Sequence, residues 1–317
     1  MNITVIKRSI KEVFGVGSTT AQIPTFSGFE RVPAVDPNFL FREDQLQILL
    51  LWYFKGAEAG MRNLMLYGPH GSGKTELVRQ FAARLGVPLY EDVGSPDRQF
   101  MDYVGQFLPT KEGPKMVDSM LVKSMKSPQS IFLMNEIDLI QQDTLVSLNN
   151  MLDKGILENP SSSEKVVAQK GWKFVATANT NLSGDANGVY KGTKKQSAAT
   201  ASRFFMYPCS YISEVLEKEL LARLGISPIM QERAVRFANQ TRKAFMDGRI
   251  RSVMTTREVV MWALQDKALA GTSTFKSATQ AALEMSFMSK CENKDRIALA
   301  QAYRDATNDE YRGIELA

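Results

Sequence analysis

Short apolar runs and amphipathic segments alternate between residues 63 and 176 of the chain. The apolar runs cover residues 63–67, 87–91, 130–134 and 172–176, and the last two are apolar on both faces. An amphipathic segment of helical spacing, 74–85, lies between the first two runs. Because strands that alternate with helices form parallel sheets covered on both faces, this pattern predicts an α/β domain around a buried parallel sheet.

The residues before this alternation have a different pattern. Residues 1–41 read as an irregular, proline-containing lead-in with one short helical pattern at 5–14. Residues 42–59 predict a helix, and Glu43 and Asp44 are favourable near its N-terminus.

The residues after the alternation carry helical spacing without a strand signal. Gly225, Gly248 and Gly271 are plausible helix stops within this part of the chain. We therefore predict a lead-in at 1–41, an α/β domain at 42–211 and an all-helical domain at 212–317.

Composition narrows the class of protein. The chain has 317 residues, of which 44% are hydrophobic and 23% charged, as in an ordinary globular protein of about two domains. Two cysteines and one histidine are too few for a disulfide framework or a histidine-rich metal centre. The apolar run 46–54 is far shorter than the roughly 20 residues of a membrane span, and the N-terminus has no secretory signal. We expect a cytoplasmic protein that does not enter the membrane.

The net charge of +5 is mild for this length. Basic residues concentrate at 191–203 and 242–257, but aromatic residues do not interleave with them as they do in a single-strand binding groove. We interpret both clusters as solvated surface, so nucleic acid is not the favoured partner.

The strongest chemical signal is the segment GPHGSGKT, which satisfies G-x-x-x-x-G-K-[ST] between a predicted strand and a predicted helix. Its residues are Gly68, Pro69, His70, Gly71, Ser72, Gly73, Lys74 and Thr75. Glycines let backbone N–H groups approach phosphate oxygens, and the helix N-terminus favours negative charge. Lys74 is placed to bind the β- and γ-phosphates of a nucleotide, and the hydroxyl of Thr75 is placed to bind Mg²⁺.

Polar residues follow two further buried strands. The strand IFLMNE ends in Asn135 and Glu136, where Glu136 can polarise an attacking water. Asn135 keeps an oxygen for a metal-bound water but lacks the charge of aspartate, and Asp138 could partly compensate. Asn179 ends the strand WKFVATANT, where it could orient water or simply form a turn. Arg203 and Arg257 could reach phosphate, but surface arginine is the alternative for both.

In chain order these motifs are GPHGSGKT, IFLMNE, TANT, SRF and TTRE, followed by a helical region. The set resembles an AAA+ ATPase with a helical lid, and more narrowly the MoxR group and the ATPase small subunit of aerobic cobaltochelatase. The resemblance covers roughly residues 10–270 and is most specific between Phe174 and Arg203.

The resemblance implies a role for each of these residues. Lys74 and Thr75 bind ATP and Mg²⁺, and Glu136 is the catalytic glutamate. Asn179 and Arg257 act as the two sensors of the nucleotide, and Arg203 reaches the ATP site of the next subunit. Asn135 and Ser202 depart from the family pattern, which usually has aspartate at both positions.

The resemblance also implies an assembly. The chain forms a homo-hexameric ring that works with a von Willebrand factor A-type adaptor on a protein client. A segment at 105–120 faces the central pore, and a hairpin at 156–170 precedes the sensor strand.

Three functions remain open from the sequence. The first is an ATP-driven remodelling enzyme, which we favour. The second is a nucleic-acid motor or loader, which predicts steeply salt-dependent DNA binding. The third is a nucleotide-gated assembly scaffold that hydrolyses ATP weakly, for which Asn135 is the reason.

Overall fold

The computed structural model describes residues 3–111, 113–160, 164–184 and 193–317. The chain divides into two compact units. The first contains residues 1–69 and 74–209, and the second contains residues 70–73 and 210–317.

The first unit contains strands and helices in mixed order. Its strands are β1 (Thr4–Ser9), β2 (Gln22–Ser27), β3 (Asn63–Tyr67), β4 (Leu89–Val93), β5 (Gly105–Thr110), β6 (Gly113–Asp118), β7 (Ile131–Asn135), β8 (Ile156–Glu158), β9 (Lys165–Val167), β10 (Lys173–Ala178) and β11 (Phe204–Pro208). Its helices are α1 (Ile10–Phe14), α2 (Glu43–Lys55), α3 (Lys74–Leu85), α4 (Phe100–Val104), α5 (Met120–Met125), α6 (Gln142–Ser147), α7 (Asn149–Lys154) and α8 (Ala198–Ala201). A 3-10 turn covers Ile137–Leu139.

Five of these strands form one parallel sheet in the order β11–β3–β10–β7–β4. Alternate side chains of β7 enter two different hydrophobic clusters: Leu133 packs in one, and Phe132 and Met134 pack in the other. Both faces of the sheet are therefore covered. Because the strands are parallel, their carboxyl ends lie along one edge, and the segments that follow β3, β7 and β10 start there.

The lead-in differs from its prediction. The helical pattern at 5–14 was only half correct, because β1 pairs with β2 in an antiparallel hairpin and α1 begins at Ile10. Ser9 caps that helix by accepting a hydrogen bond from the Glu12 backbone N–H at 3.2 Å. Most of β1 is exposed on both faces, so its side chains carry no alternation that would identify a strand.

The strand predicted at 87–91 begins two residues later, at Leu89. Gly86 adopts a positive φ of 74° at the end of α3, and the Val87 N–H donates to the carbonyl of Ala82 in the closing turn of the helix. The helix end thus occupies the backbone that the apolar pattern assigned to the strand. The helix predicted at 42–59 likewise ends earlier, at Lys55.

Two antiparallel hairpins project from the sheet's connections. β5 and β6 pair within the segment 105–120, and β8 and β9 pair within 156–170. Residues 161–163, between β8 and β9 in sequence, and residues 185–192, between β10 and α8, lie outside the described residues.

The second unit is mainly helical. Its helices are α9 (Glu214–Arg223), α10 (Pro228–Met246), α11 (Thr256–Leu269), α12 (Ala278–Ser286) and α13 (Asn293–Thr307), and a 3-10 turn covers Met288–Lys290. A single β-bridge joins Phe275 to Leu316. Trp262 and Phe237 pack edge to face at the centre of its core, with ring centroids 5.5 Å apart. None of the helices in the described part of the chain is long and apolar enough to cross a membrane.

Candidate nucleotide site

The glycine-rich loop joins β3 to α3 at the carboxyl edge of the sheet. Gly68 adopts a φ of 145°, and a Cβ atom at this position would lie 2.0 Å from the carbonyl oxygen of Cys209. Only glycine allows this close approach of two backbone segments. Gly73 has a φ of 85°, which other residues rarely adopt. The Ser72 hydroxyl is buried and has no hydrogen-bond partner among the described residues, as expected of a loop that wraps an anion.

Lys74 begins α3 and is only 8% exposed. Its ammonium group donates to the carbonyl oxygens of Gly68 at 2.7 Å and Pro69 at 2.9 Å. A weaker contact of 3.4 Å reaches Oδ1 of Asn179. Burial lowers the pKa of Lys74 to about 8, although the nearby acidic side chains oppose this shift. A phosphate group would favour the charged form of this lysine.

Three polar side chains connect the loop to β7 and β10. Oδ1 of Asn135 accepts hydrogen bonds from the hydroxyls of Thr75 at 2.6 Å and Thr177 at 3.2 Å. The Thr177 hydroxyl in turn accepts from the backbone N–H of Glu136 at 3.3 Å. The amide oxygen of Asn135, at the end of β7, therefore holds the hydroxyl of Thr75, near the start of α3.

The donor set at this point fits Mg²⁺. The Thr75 hydroxyl and the Asn135 amide oxygen are hard oxygen ligands, which Mg²⁺ prefers, together with water and nucleotide phosphates. Within the described ranges, no three His, Cys, Asp or Glu side chains gather as a metal site. The protein would thus supply few ligands, as is usual for magnesium bound together with a nucleotide.

Glu136 directly follows β7, and its side chain is exposed. Its φ of 54° is left-handed, which is uncommon for a residue other than glycine. Gly94 supports this conformation, because its N–H donates to the Asn135 carbonyl at 2.7 Å. A Cβ atom on Gly94 would lie 2.3 Å from the Glu136 carbonyl oxygen.

Asp138 has a structural role that the sequence did not indicate. Its side chain is fully buried, and Oδ2 accepts hydrogen bonds from the backbone N–H groups of Asn179 at 3.0 Å and Thr180 at 3.1 Å. The Thr180 hydroxyl donates to the same oxygen at 3.1 Å. Asp138 therefore fixes the backbone that carries Asn179.

Arg203 lies where the parallel strands of the sheet begin, whereas the glycine-rich loop lies where they end. It immediately precedes β11, whose first residue, Phe204, pairs with Asn63 at the start of β3. The loop follows the other end of β3, five residues away, which corresponds to about 17 Å of strand. Arg203 is therefore remote from the nucleotide loop of its own chain.

Arg257 belongs to the second unit, where it is the second residue of α11 and is exposed. Within the first unit, the structure thus brings together five of the residues proposed from the sequence: Lys74, Thr75, Asn135, Glu136 and Asn179.

Sequence comparison with known proteins agrees with this geometry. Residues 63–204 match the AAA domain of the dynein-related subfamily. The aerobic cobaltochelatase subunit CobS of a Sinorhizobium species is 29% identical over 97% of this chain and 91% of its own length. Protein CbbQ of Hydrogenophilus thermoluteolus is 27% identical over 68% of this chain and 79% of its own length. A solved structure of a candidate ATPase from Cytophaga hutchinsonii aligns with a TM-score of 0.46 at 14% identity, covering 90% of this chain and 84% of that one.

The parallel sheet, the glycine-rich loop and the AAA domain matched at residues 63–204 together support a nucleotide-binding AAA+ ATPase. Its similarity to CobS and CbbQ supports an AAA+ ATPase of the MoxR-like type. The predicted fold class and the family resemblance are both confirmed.

Proposed function

We propose that this ATPase is a motor that works as a homo-hexameric ring and uses ATP hydrolysis to remodel a protein client. The observation that carries this proposal is the position of Arg203 at the sheet edge opposite its own glycine-rich loop. An arginine placed there can serve an ATP site only if another subunit supplies that site. A ring with its sites between subunits meets this requirement.

Within each site, the residues divide the work of phosphoryl transfer. Lys74 binds the β- and γ-phosphates, and the hydroxyl of Thr75 and the amide oxygen of Asn135 hold Mg²⁺. When bound, that ion neutralises the charge on the phosphate oxygens. Glu136 is exposed at the end of β7, where its carboxylate can accept a proton from the attacking water. Asn179, held by Asp138, orients that water.

We further propose that residues 42–211 are the nucleotide-binding domain and residues 212–317 the lid, with 1–41 as a lead-in. In this division Arg257 contributes a cation from the lid to the phosphates. The proposal follows the motif order in the sequence and the matching of residues 63–204 to an AAA domain.

In this proposal the motor acts on a protein client together with an adaptor. The hairpin of β5 and β6 exposes Phe107 by 51% and Leu108 by 47%, which suits contact with an extended polypeptide in a central pore. CobS is named as a subunit of a larger enzyme, so we propose that this chain also acts with partners, including a von Willebrand factor A-type adaptor.

Asn135 supports a second candidate function. With a neutral amide where aspartate is usual, the ring could bind ATP as a gated scaffold and hydrolyse it slowly. The variant Asn135→Asp separates the two candidates. A sharp rise in turnover would favour the scaffold, whereas an unchanged rate would favour the motor.

The central test measures ATP hydrolysis and subunit assembly of the full chain. Phosphate release and sedimentation velocity are recorded with and without ATP and Mg²⁺, and Lys74→Ala and Glu136→Gln should abolish turnover. Arg203→Ala subunits are then mixed with Glu136→Gln subunits. The Arg203→Ala subunit keeps its glutamate and the Glu136→Gln subunit keeps its arginine. If the arginine acts between subunits, an ATP site formed between the two variants contains both residues, and mixing should restore hydrolysis. Failure of ATP to promote assembly, or of mixing to restore activity, would contradict the ring.

A further inference from the structure

Arg203 is held by neighbours within its own unit. Its Nη2 donates to Oδ2 of Asp153 at 2.9 Å, and its Nε lies 2.9 Å from Oδ1 of the same carboxylate. Its Nη1 donates to the backbone carbonyl of Ala199. The Nε–H is not directed at this oxygen, so the guanidinium is held by two hydrogen bonds from different nitrogens, one to Asp153 and one to Ala199, which restrain its orientation as well as its position.

A buried amide fixes the backbone under this ion pair. Asn63, at the start of β3, is 2% exposed. Its side-chain amide donates to the carbonyl of Leu152 at 2.9 Å and to the carbonyl of Arg203 at 3.0 Å. Since Leu152 directly precedes Asp153, one amide group ties together the two segments that carry the acid and the arginine.

The ion pair leaves part of the guanidinium available. Among the described residues, hydrogen bonds to Asp153 and Ala199 engage two of the five N–H donors of the guanidinium, and each Nη atom keeps a second N–H. The remaining donors can bind phosphate oxygens while the carboxylate contact is kept. Arg203 therefore does not need to leave Asp153 in order to bind an anion.

We propose that Asp153 is a positioning residue for Arg203, which it holds in the orientation that meets the phosphate of a neighbouring subunit. This inference rests on the proposed action of Arg203 between subunits. Long side chains lose conformational freedom when they bind, and a partner that restrains them beforehand removes that cost. The carboxylate of Asp153 provides this restraint from the end of α7, and its contribution should appear in turnover rather than in ATP affinity.

A double-mutant cycle tests the inference in the assembled full-length protein. Asp153→Ala and its isosteric counterpart Asp153→Asn should each lower kcat by about 10-fold or more, because small misplacements of a catalytic group have large effects on rate. Arg203→Ala should lower kcat by about 1,000-fold, as expected for loss of an arginine that stabilises charge in the transition state. The double variant Asp153→Ala/Arg203→Ala should be no slower than Arg203→Ala alone. ATP affinity should be unchanged in all of them.

The matched control is Asp44→Asn. Asp44 pairs with Arg42 at 2.7 Å, and its side-chain exposure of 48%, beside 23% for the arginine, is close to the 44% and 23% of Asp153 and Arg203. Loss of this other ion pair should leave kcat unchanged.

Each outcome of the cycle decides between the proposals. Unchanged kcat in Arg203→Ala would overturn the proposed role of the arginine itself. A large loss in Arg203→Ala with unchanged or raised kcat in both Asp153 variants would overturn only the positioning role. A double variant well below Arg203→Ala would also overturn it, because Asp153 would then act on turnover by another route.

Discussion

Gly94 provides a direct test of how the Glu136 turn is positioned. A Cβ atom at Gly94 would lie 2.3 Å from the carbonyl oxygen of Glu136, whereas ordinary contacts begin at 3.4 Å. In Gly94→Ala the backbone of Glu136 must therefore move by about 1 Å, and a displacement of that size at a catalytic group can cost about 100-fold in rate. Because Lys74 and Thr75 lie on a different element, we expect a large fall in kcat with little change in ATP affinity.

The assay measures phosphate release at saturating ATP and ATP affinity by calorimetry. Gly56→Ala is the matched control, because a Cβ atom there would also meet a backbone carbonyl, that of Trp52 at 2.2 Å. Gly56 ends α2, away from the carboxyl edge of the sheet, so this variant should lose stability but keep its kcat. Wild-type kcat in a folded Gly94→Ala protein would refute the reasoning, as would an equal loss of kcat in the control.

Two further predictions concern charged groups that are buried. In the second unit, Arg242 forms two hydrogen bonds of 2.8 Å with the fully buried carboxylate of Glu217, so Arg242→Ala should lower the free energy of unfolding by about 3–5 kcal/mol in urea denaturation. The paired variant Glu217→Leu/Arg242→Met should recover most of that loss, and a double variant as unstable as the single one would contradict this account. The pKa of Lys74 is lowered from 10.5 to about 8, so the unfolded chain binds more protons between these values, and the nucleotide-free protein gains stability as the pH rises through this window. The unfolding free energy of wild type should therefore rise relative to that of Lys74→Met between pH 8 and 10. A constant difference between the two proteins would contradict the lowered pKa of Lys74.

The parts of the fold that sequence predicted are those with a strong local pattern. The helix at 74–85 was predicted to the residue, because its amphipathic face and the preceding glycine-rich motif agree. The strand β1 was missed because it is held by pairing with β2, which lies about 20 residues further along, and its side chains remain exposed.

The residues of the candidate site also fall into those that a local motif indicates and those that only the folded chain brings together. The positions of Lys74, Thr75, Asn135 and Glu136 follow from motifs at the ends of strands, which parallel topology brings to one edge. The contacts around Arg203 could not be predicted in this way. Asn63 reaches the Arg203 carbonyl across 140 residues of sequence, and no local pattern indicates that a buried amide should join them. The backbone support that Asp138 gives to Asn179 depends likewise on the packing of two strands.

Strand β3 has a further consequence for a ring of such subunits. Its carboxyl end leads into the loop that binds nucleotide, and its first residue, Asn63, holds the backbone of the arginine that would serve the adjacent subunit. Residues 63–66 of this strand are buried, so in the proposed ring β3 would be a stiff connection between the ATP site of one subunit and the arginine that acts on the next. A displacement of the loop on hydrolysis would then be transmitted along β3 to the backbone of Arg203, which would couple the two sites.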